Sequence, residues 1–294
     1  MNARDLFIKL TEHHARGVEA EVKGVRQNLD IEHLHRMRVS LRRLKSTLSD
    51  FKEVVPPRDY EILKGNLKKL LRAMGSARDM DTKIDFLRKL AAEPRAARYR
   101  EGIFEIIDEI AEDRNEVQPK ITRTIAKLHR KKIFHSARRL KVSLEETGIT
   151  LDEWAKNRIL ARLEKMFGLE PYVRKPGCVT ELHEMRIAAK NLRYTLENLE
   201  HLYGQRRIRP YSQSAMKVQR ALGDVHNFDV WLNLMKILSD SSGREPSFRR
   251  AVTFLRQECA VRRVTSYKAF VKLWASLKRR KVWANLSFFA LDRQ

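Results

Sequence analysis

The sequence has little of what breaks helices or staples small folds. Its 294 residues include 11 glycines, 8 prolines and 2 cysteines. With Leu, Ala, Lys, Arg and Glu dominant, that scarcity points to helix, and no segment sustains the alternation of a strand. Cys178 and Cys259 lie far apart and in no CxxC pattern. They read as reduced, partly buried thiols of a cytosolic protein. No run of ~18 apolar residues occurs, so no membrane span is expected. The opening "MNARDLFIKLTEHH" carries charges throughout and no apolar core of signal-peptide length. These absences predict a soluble, intracellular chain, and 43% hydrophobic residues suffice for one large or two medium cores.

Acids are scarce beside bases. Lys and Arg number 61 against 37 Asp and Glu, a formal charge of +24. A balance this far from neutral implies a polyanionic partner: nucleic acid, an anionic membrane surface or inorganic phosphate chains.

Punctuation divides the chain into eight helical segments. The first runs from Arg4 to Arg26. Asp30 caps a second that ends near Val54, and Pro56 and Pro57 open a third that reaches Ala92. Pro94 starts a fourth toward Leu144, interrupted or bent at Pro119, where a backbone donor is missing. After Gly148, Thr150 and Glu153 form a capping box for the fifth. Thr180 caps the sixth, which stops at Gly204; a seventh spans Tyr211 to Ser239, and an eighth follows "SSGREP" to Lys281 or beyond.

The two sets of four suggest a duplication. "LHRMRVSLRRLKSTL" (Leu34 to Leu48) aligns with "LHEMRIAAKNLRYTL" (Leu182 to Leu196), an offset of 148. At the same offset, "KLLRAMGSARDMD" (Lys69 to Asp81) aligns with "KVQRALGDVHNFD" (Lys217 to Asp229). "RKKIF" at Arg130 resembles "RRKVW" at Arg279, shifted by one more residue. The expected architecture is all-α: two tandem four-helix bundles, residues 1–148 and 149–294, related by pseudo-twofold symmetry from an internal duplication.

In the first copy Leu34, Met37, Leu41, Leu44, Leu48 and Phe51 form an apolar stripe that faces a core. Its twin is Leu182, Met185, Ala189, Leu192, Leu196 and Leu199. One position over, about 100° around the helix, stand His35, Arg38, Arg42 and Lys45, and in the twin His183, Arg186, Lys190 and Arg193. Like charges at these steps repel by about 0.2–0.5 kcal/mol per pair. Neighbouring acids could neutralise the rows, as Glu197 could for Arg193, or the rows could be ordinary solvated faces. Neither explains the same residue types at the same steps, beside the core, in both halves. The rows therefore read as an anion site, extended by Lys69, Arg72, Lys217, Arg220, Arg130 and Arg279. Gly75 and Gly223 read as close-packing positions. Asp81 and Asp229 are either partners that orient basic side chains or surface acids.

Neither His35 nor His183 has a His, Cys or carboxylate four residues away, so no metal site is expected; each suits a phosphate oxygen better. "EAEVK" (Glu19 to Lys23) fits the E-x-E-x-K signature of triphosphate tunnel enzymes, but on a helix its two glutamates diverge by about 200°, so the match is coincidental.

The motifs "HRMRVSLRRLKSTL" and "HEMRIAAKNLRYTLE", with "MGSARDMD" after the first, resemble the CHAD family, histidine-bearing α-helical domains, over nearly the whole chain. The resemblance implies two four-helix bundles with a basic channel between them that binds inorganic polyphosphate, and recruitment to polyphosphate granules in the cytoplasm. Many members are fused to a triphosphate tunnel domain, which implies a separate triphosphate- or polyphosphate-processing enzyme as a partner here. Arg78 and Asp79 match the family's "RD"; the second half departs there, with His226 and Asn227.

Two rival functions remain. A non-specific RNA-binding protein shares the charge, but the basic rows lack interleaved aromatics for base stacking. A polyphosphate hydrolase or kinase would need a P-loop, a nucleophile with its base, or a carboxylate cluster for Mg²⁺, and the motif helices offer none. No catalytic residues and no cofactor are expected.

Overall fold

The computed structural model describes residues 2–130, 144, 148–240 and 243–291. Among them every regular element is helical. Among the described residues no helix is long and apolar enough to cross a membrane. The chain divides into two compact units, Met1–Ser143 with Gly243–Ala251, and Leu144–Ser242 with Val252–Gln294.

In the first unit α1 (Ala3–Glu19) opens with a reciprocal cap in which the Asp5 amide donates to Asn2 Oδ1 at 2.8 Å. A turn at Ala20 and Glu21 separates it from α2 (Val22–Gln27), where one helix is expected. The turn places Glu21 against α3 (Ile31–Asp50): its carboxylate accepts from Arg36 Nε at 2.7 Å and lies 2.6 Å from His33 Nδ1. Those bonds hold the Glu21 carboxyl below its ordinary pKa despite partial burial. Asn28, left-handed at φ 51°, ends α2. Asp30 caps α3 as expected, accepting from the Glu32 amide at 2.9 Å.

Pro57 is the first residue of α4 (Pro57–Ala73). The expected third helix breaks at Met74, whose side chain is wholly buried, and continues as α5 (Gly75–Ala91). After a 3-10 segment, Pro94–Tyr99, α6 spans Arg100–Arg130. Pro119 does not interrupt it. Buried Ile121 and Ile125 hold the following turns, and Gln118 Nε2 donates to the Val25 carbonyl at 2.7 Å. That packing offsets the ~3 kcal/mol a proline removes.

In the second unit Thr150 and Glu153 cap α7 (Leu151–Phe167) reciprocally. α8 spans Val179–Tyr203. Its N-cap is Cys178, whose carbonyl accepts from the Leu182 amide at 3.0 Å, so Thr180 is already helical and caps nothing. α9 (Gln205–Ser239) starts six residues before the expected Tyr211. Buried Ile208 anchors its first turns and Pro210 lies inside it. α10 (Pro246–Arg279) ends before Lys281, left-handed at φ 55°, and α11 (Val282–Leu291) follows. Burial pushes the Cys259 thiol up to about 12, so it stays protonated.

Both apolar stripes are buried in full, Leu34 to Phe51 in the first unit and Leu182 to Leu199 in the second. Each fully buried Leu or Met contributes about 1.5–3 kcal/mol. Phe7 meets Phe51 edge-on, ring centroids 5.2 Å apart. Gly102 of α6 lies where α10 begins; a Cβ there would stand 2.5 Å from the Ser247 carbonyl oxygen.

The twin aspartates are ion-pair partners. Arg114 Nε of α6 donates to Asp81 Oδ1 at 2.8 Å, with 8% and 4% of the side chains exposed. Arg263 Nε of α10 donates to Asp229 Oδ1 at 2.6 Å. The aspartates are offset by 148 and the arginines by 149, the register of the Arg130 and Arg279 clusters. Buried Ile121 and Ile125 correspond in that register to buried Phe270 and Trp274. Removing one partner of a buried pair strands the other charge. Asp81→Asn should lower stability by about 3 kcal/mol, whereas Asp85→Asn, which breaks an exposed pair with Lys89, should cost less than about 1 kcal/mol. Urea denaturation compares the two; equal losses would refute the buried-pair assignment.

Candidate anion-binding site

The basic row of α3 is fixed by the stripe beside it. Once Leu34, Met37, Leu41 and Leu44 are buried, the residues one step on lie at the edge of the core. They do not lie there alike. Arg38 is 6% exposed, His35 is half-buried, and Arg42 and Lys45 are exposed. Arg38 Nη1 donates to the Leu71 carbonyl of α4 at 3.4 Å and lies 3.5 Å from where a Cβ on Gly75 would stand. In the second unit the Arg186 side chain approaches Gly223 in the same way, at 4.0 Å. The open sides of both glycines therefore face a ladder arginine, not another helix backbone.

Burial, then the charge of Arg42, pushes Arg38 down to about 10, against the support of Asp79. It remains a cation at neutral pH. The "RD" pair thus has two roles: Asp79 offsets the buried guanidinium, while Arg78 adds positive field at His35. His35 is held below its ordinary pKa by burial first, then by Arg78. Among the described residues neither Arg42 nor Lys45 has a carboxylate partner.

The second row is more occupied. His183, Arg186, Lys190 and Arg193 are all half-buried. Arg193 Nε donates to Glu197 at 2.6 Å and its Nη1 to Gln219 Oε1 at 3.2 Å, so the neutralisation conceivable from the sequence is realised at this position. His183 Nδ1 lies 3.0 Å from His226 Nδ1, one ring donating to the other. His226 stands where the first unit has Arg78. Burial, with His183 and Arg186 nearby, pushes His226 down to about 4; burial and Arg186 lower His183.

The remaining site residues go elsewhere. Lys69 and Arg72 line a cavity of about 460 Å³ with Lys120 and Lys127 of α6; none of His35, Arg38, Arg42 and Lys45 lines it. Lys217, Arg220 and Arg279 are exposed on their helices. Arg130 ends α6, and its side chain and the rest of "RKKIF" lie outside the described residues. Three features escape the linear pattern: the His183–His226 pair, Arg114 and Arg263 as aspartate partners, and Lys120 and Lys127. The one-residue shift between the "RKKIF" and "RRKVW" clusters is the signal that could have found the arginines. Glu19 and Glu21 of "EAEVK" fall at the end of α1 and in the turn after it, and Glu21 is tied to α3. Among the described residues no three His, Cys, Asp or Glu side chains gather as a metal site requires.

A sequence model described as the CHAD domain matches residues 9–236. No curated protein matches the chain. Solved structures share its fold, among them the following two. The CHAD domain from the plant Ricinus communis superposes with a TM-score of 0.67 at 20% identity, covering 92% of each chain. PptA from Streptomyces chartreusis superposes with a TM-score of 0.70 at 12% identity, covering 94% of this chain and 100% of that one.

The histidine pair sets a pH dependence of stability. Both folded-state pKa values are depressed, so the folded protein binds fewer protons than the unfolded chain below the ordinary value of 6.5. The stabilisation is complete above that value and is lost as pH falls toward about 4. His226→Gln removes the group that must stay neutral. The urea midpoint of the variant should fall less between neutral and mildly acidic pH than that of the parent; parallel profiles would refute the assignment.

Proposed function

We propose that this chain, which belongs to the CHAD domain family, binds inorganic polyphosphate along the basic rows of α3 and α8. The observation that carries the reading is Arg42 with Lys45. They are exposed, stand beside buried Arg38 at the core edge, and have no carboxylate partner among the described residues. A linear polyanion with charge at every repeat relieves the repulsion of such a row. Arg42 offers a forked, charge-assisted grip and Lys45 a mobile point charge.

His35 and His183 contribute through their protonation. Burial and adjacent cations keep both rings neutral. A bound polyanion reverses the sign of that field and raises their pKa values, so binding takes up protons and strengthens as pH falls toward the ordinary histidine range. The rows carry no Phe, Tyr or Trp on which successive bases could stack, which favours phosphate chains over RNA. The same reading makes the chain a binder and not a catalyst, one that would hold polyphosphate at cytoplasmic granules or present it to a separate phosphate-processing enzyme.

Binding isotherms against long-chain polyphosphate and single-stranded RNA, at two salt concentrations, test this. Arg42→Ala with Lys45→Ala touches exposed side chains and should leave folding intact. It should weaken polyphosphate binding at least about tenfold and lower the salt slope by about one for each phosphate no longer gripped. Unchanged polyphosphate affinity in the double variant, tighter binding of RNA than of polyphosphate by the parent, or steady phosphate release with Mg²⁺ would each overturn part of the proposal.

A further inference from the structure

We infer that the first unit carries a second anion site, separate from the row on α3, shaped for a short oligophosphate group of two or three linked phosphates. The cavity between α4 and α6 has a volume of about 460 Å³, within the range of small-molecule sites. Lys69 and Arg72 enter it from α4, and Lys120 and Lys127 from α6. Among the described residues no carboxylate lines it, and none of the four cations has a carboxylate partner. Asn66 and Ser76 add neutral donors. Thr124 directs its proton to the Lys120 carbonyl at 2.8 Å, so its oxygen is turned into an acceptor only. The walls are otherwise apolar, Ala73 and Val117 with the lysine stems. Low-polarity walls strengthen attraction to an anion. Four cations around so small a volume call for dense negative charge, which linked phosphates supply and a single carboxylate does not.

The site is distinct from the α3 row by geometry. Arg38 reaches the Leu71 carbonyl, whereas Lys69 and Arg72 turn toward α6. Its lining is also not repeated in the second unit. In the second unit Lys217 and Arg220 repeat the α4 cations, but Ser76 becomes Asp224. In the register fixed by Arg114 and Arg263, Lys120 becomes Ala269 and Lys127 becomes Ser276. Two of four cations are gone and a carboxylate has entered, which provides an internal control.

The test is calorimetric titration of the full chain with inorganic triphosphate, ATP and AMP. The parent should bind triphosphate and ATP within about threefold of each other, and AMP about tenfold more weakly or worse. Lys120→Ala with Lys127→Ala, both exposed, should weaken triphosphate about tenfold while retaining long-chain polyphosphate affinity. Lys217→Ala with Arg220→Ala should leave triphosphate binding unchanged. Arg42→Ala with Lys45→Ala should show the converse of the cavity variant, so failure of the α3 row and failure of the cavity are separable. A triphosphate isotherm unaltered by the Lys120 and Lys127 substitutions, AMP as tight as triphosphate, or no triphosphate binding near ~1 mM would overturn the inference.

Discussion

One helix face decides the rest of this molecule. The leucine stripe of α3 is buried along its length, and the cation row lies about 100° away on the same rigid rod. Burying the first therefore sets the second beside the core, with Arg38 buried and Arg42 and Lys45 exposed. The magnitudes permit it. Each buried leucine is worth about 1.5–3 kcal/mol, while each like-charge step costs about 0.2–0.5 kcal/mol. The hydrophobic seam can hold a helix whose charges oppose one another, and the residual repulsion is available to an anion.

Two ion pairs, one buried and one half-buried, set the frame around that face. Asp81 with Arg114 and Asp229 with Arg263 each join two helices of their own unit. Such pairs add little net stability, because desolvation offsets most of the attraction, but they penalise any packing that separates the partners. They also consume arginines that composition alone would count toward ligand binding. Of 61 basic residues, the informative ones are those with no acid beside them among the described residues, and Arg42 and Lys45 are two of these.

The two units apply one pattern to different ends. In the first, a buried arginine is offset by Asp79, and the outer cations are open. In the second, Arg193 is tied to Glu197 and Gln219, and a histidine pair stands where the first unit sets His35 beside Arg78. The cation set of the α4–α6 cavity is likewise not repeated in full in the second unit. A shared pattern with unequal charge placement gives the two units different local fields.

Periodicity and caps made much of this legible. The two apolar stripes, the Asp30 cap and the Thr150 capping box follow from spacing and side-chain chemistry within a few residues, so the linear order contains them. Helical spacing likewise dictates which residues form each basic row and that the rows border a core. What stays open at that level depends on atoms far apart in the chain. Asp81 could be a surface acid until α6 brought Arg114 to it, and Lys69 could belong with Arg42 until the fold set it with Lys120 around one cavity. The helix through Pro119 and the early start of α8 at Cys178 likewise reflect packing and capping that outweigh a local signal. Helical phase is a property of neighbours in sequence; the neutralisation of a charge is a property of neighbours in space, and only the tertiary structure supplies those.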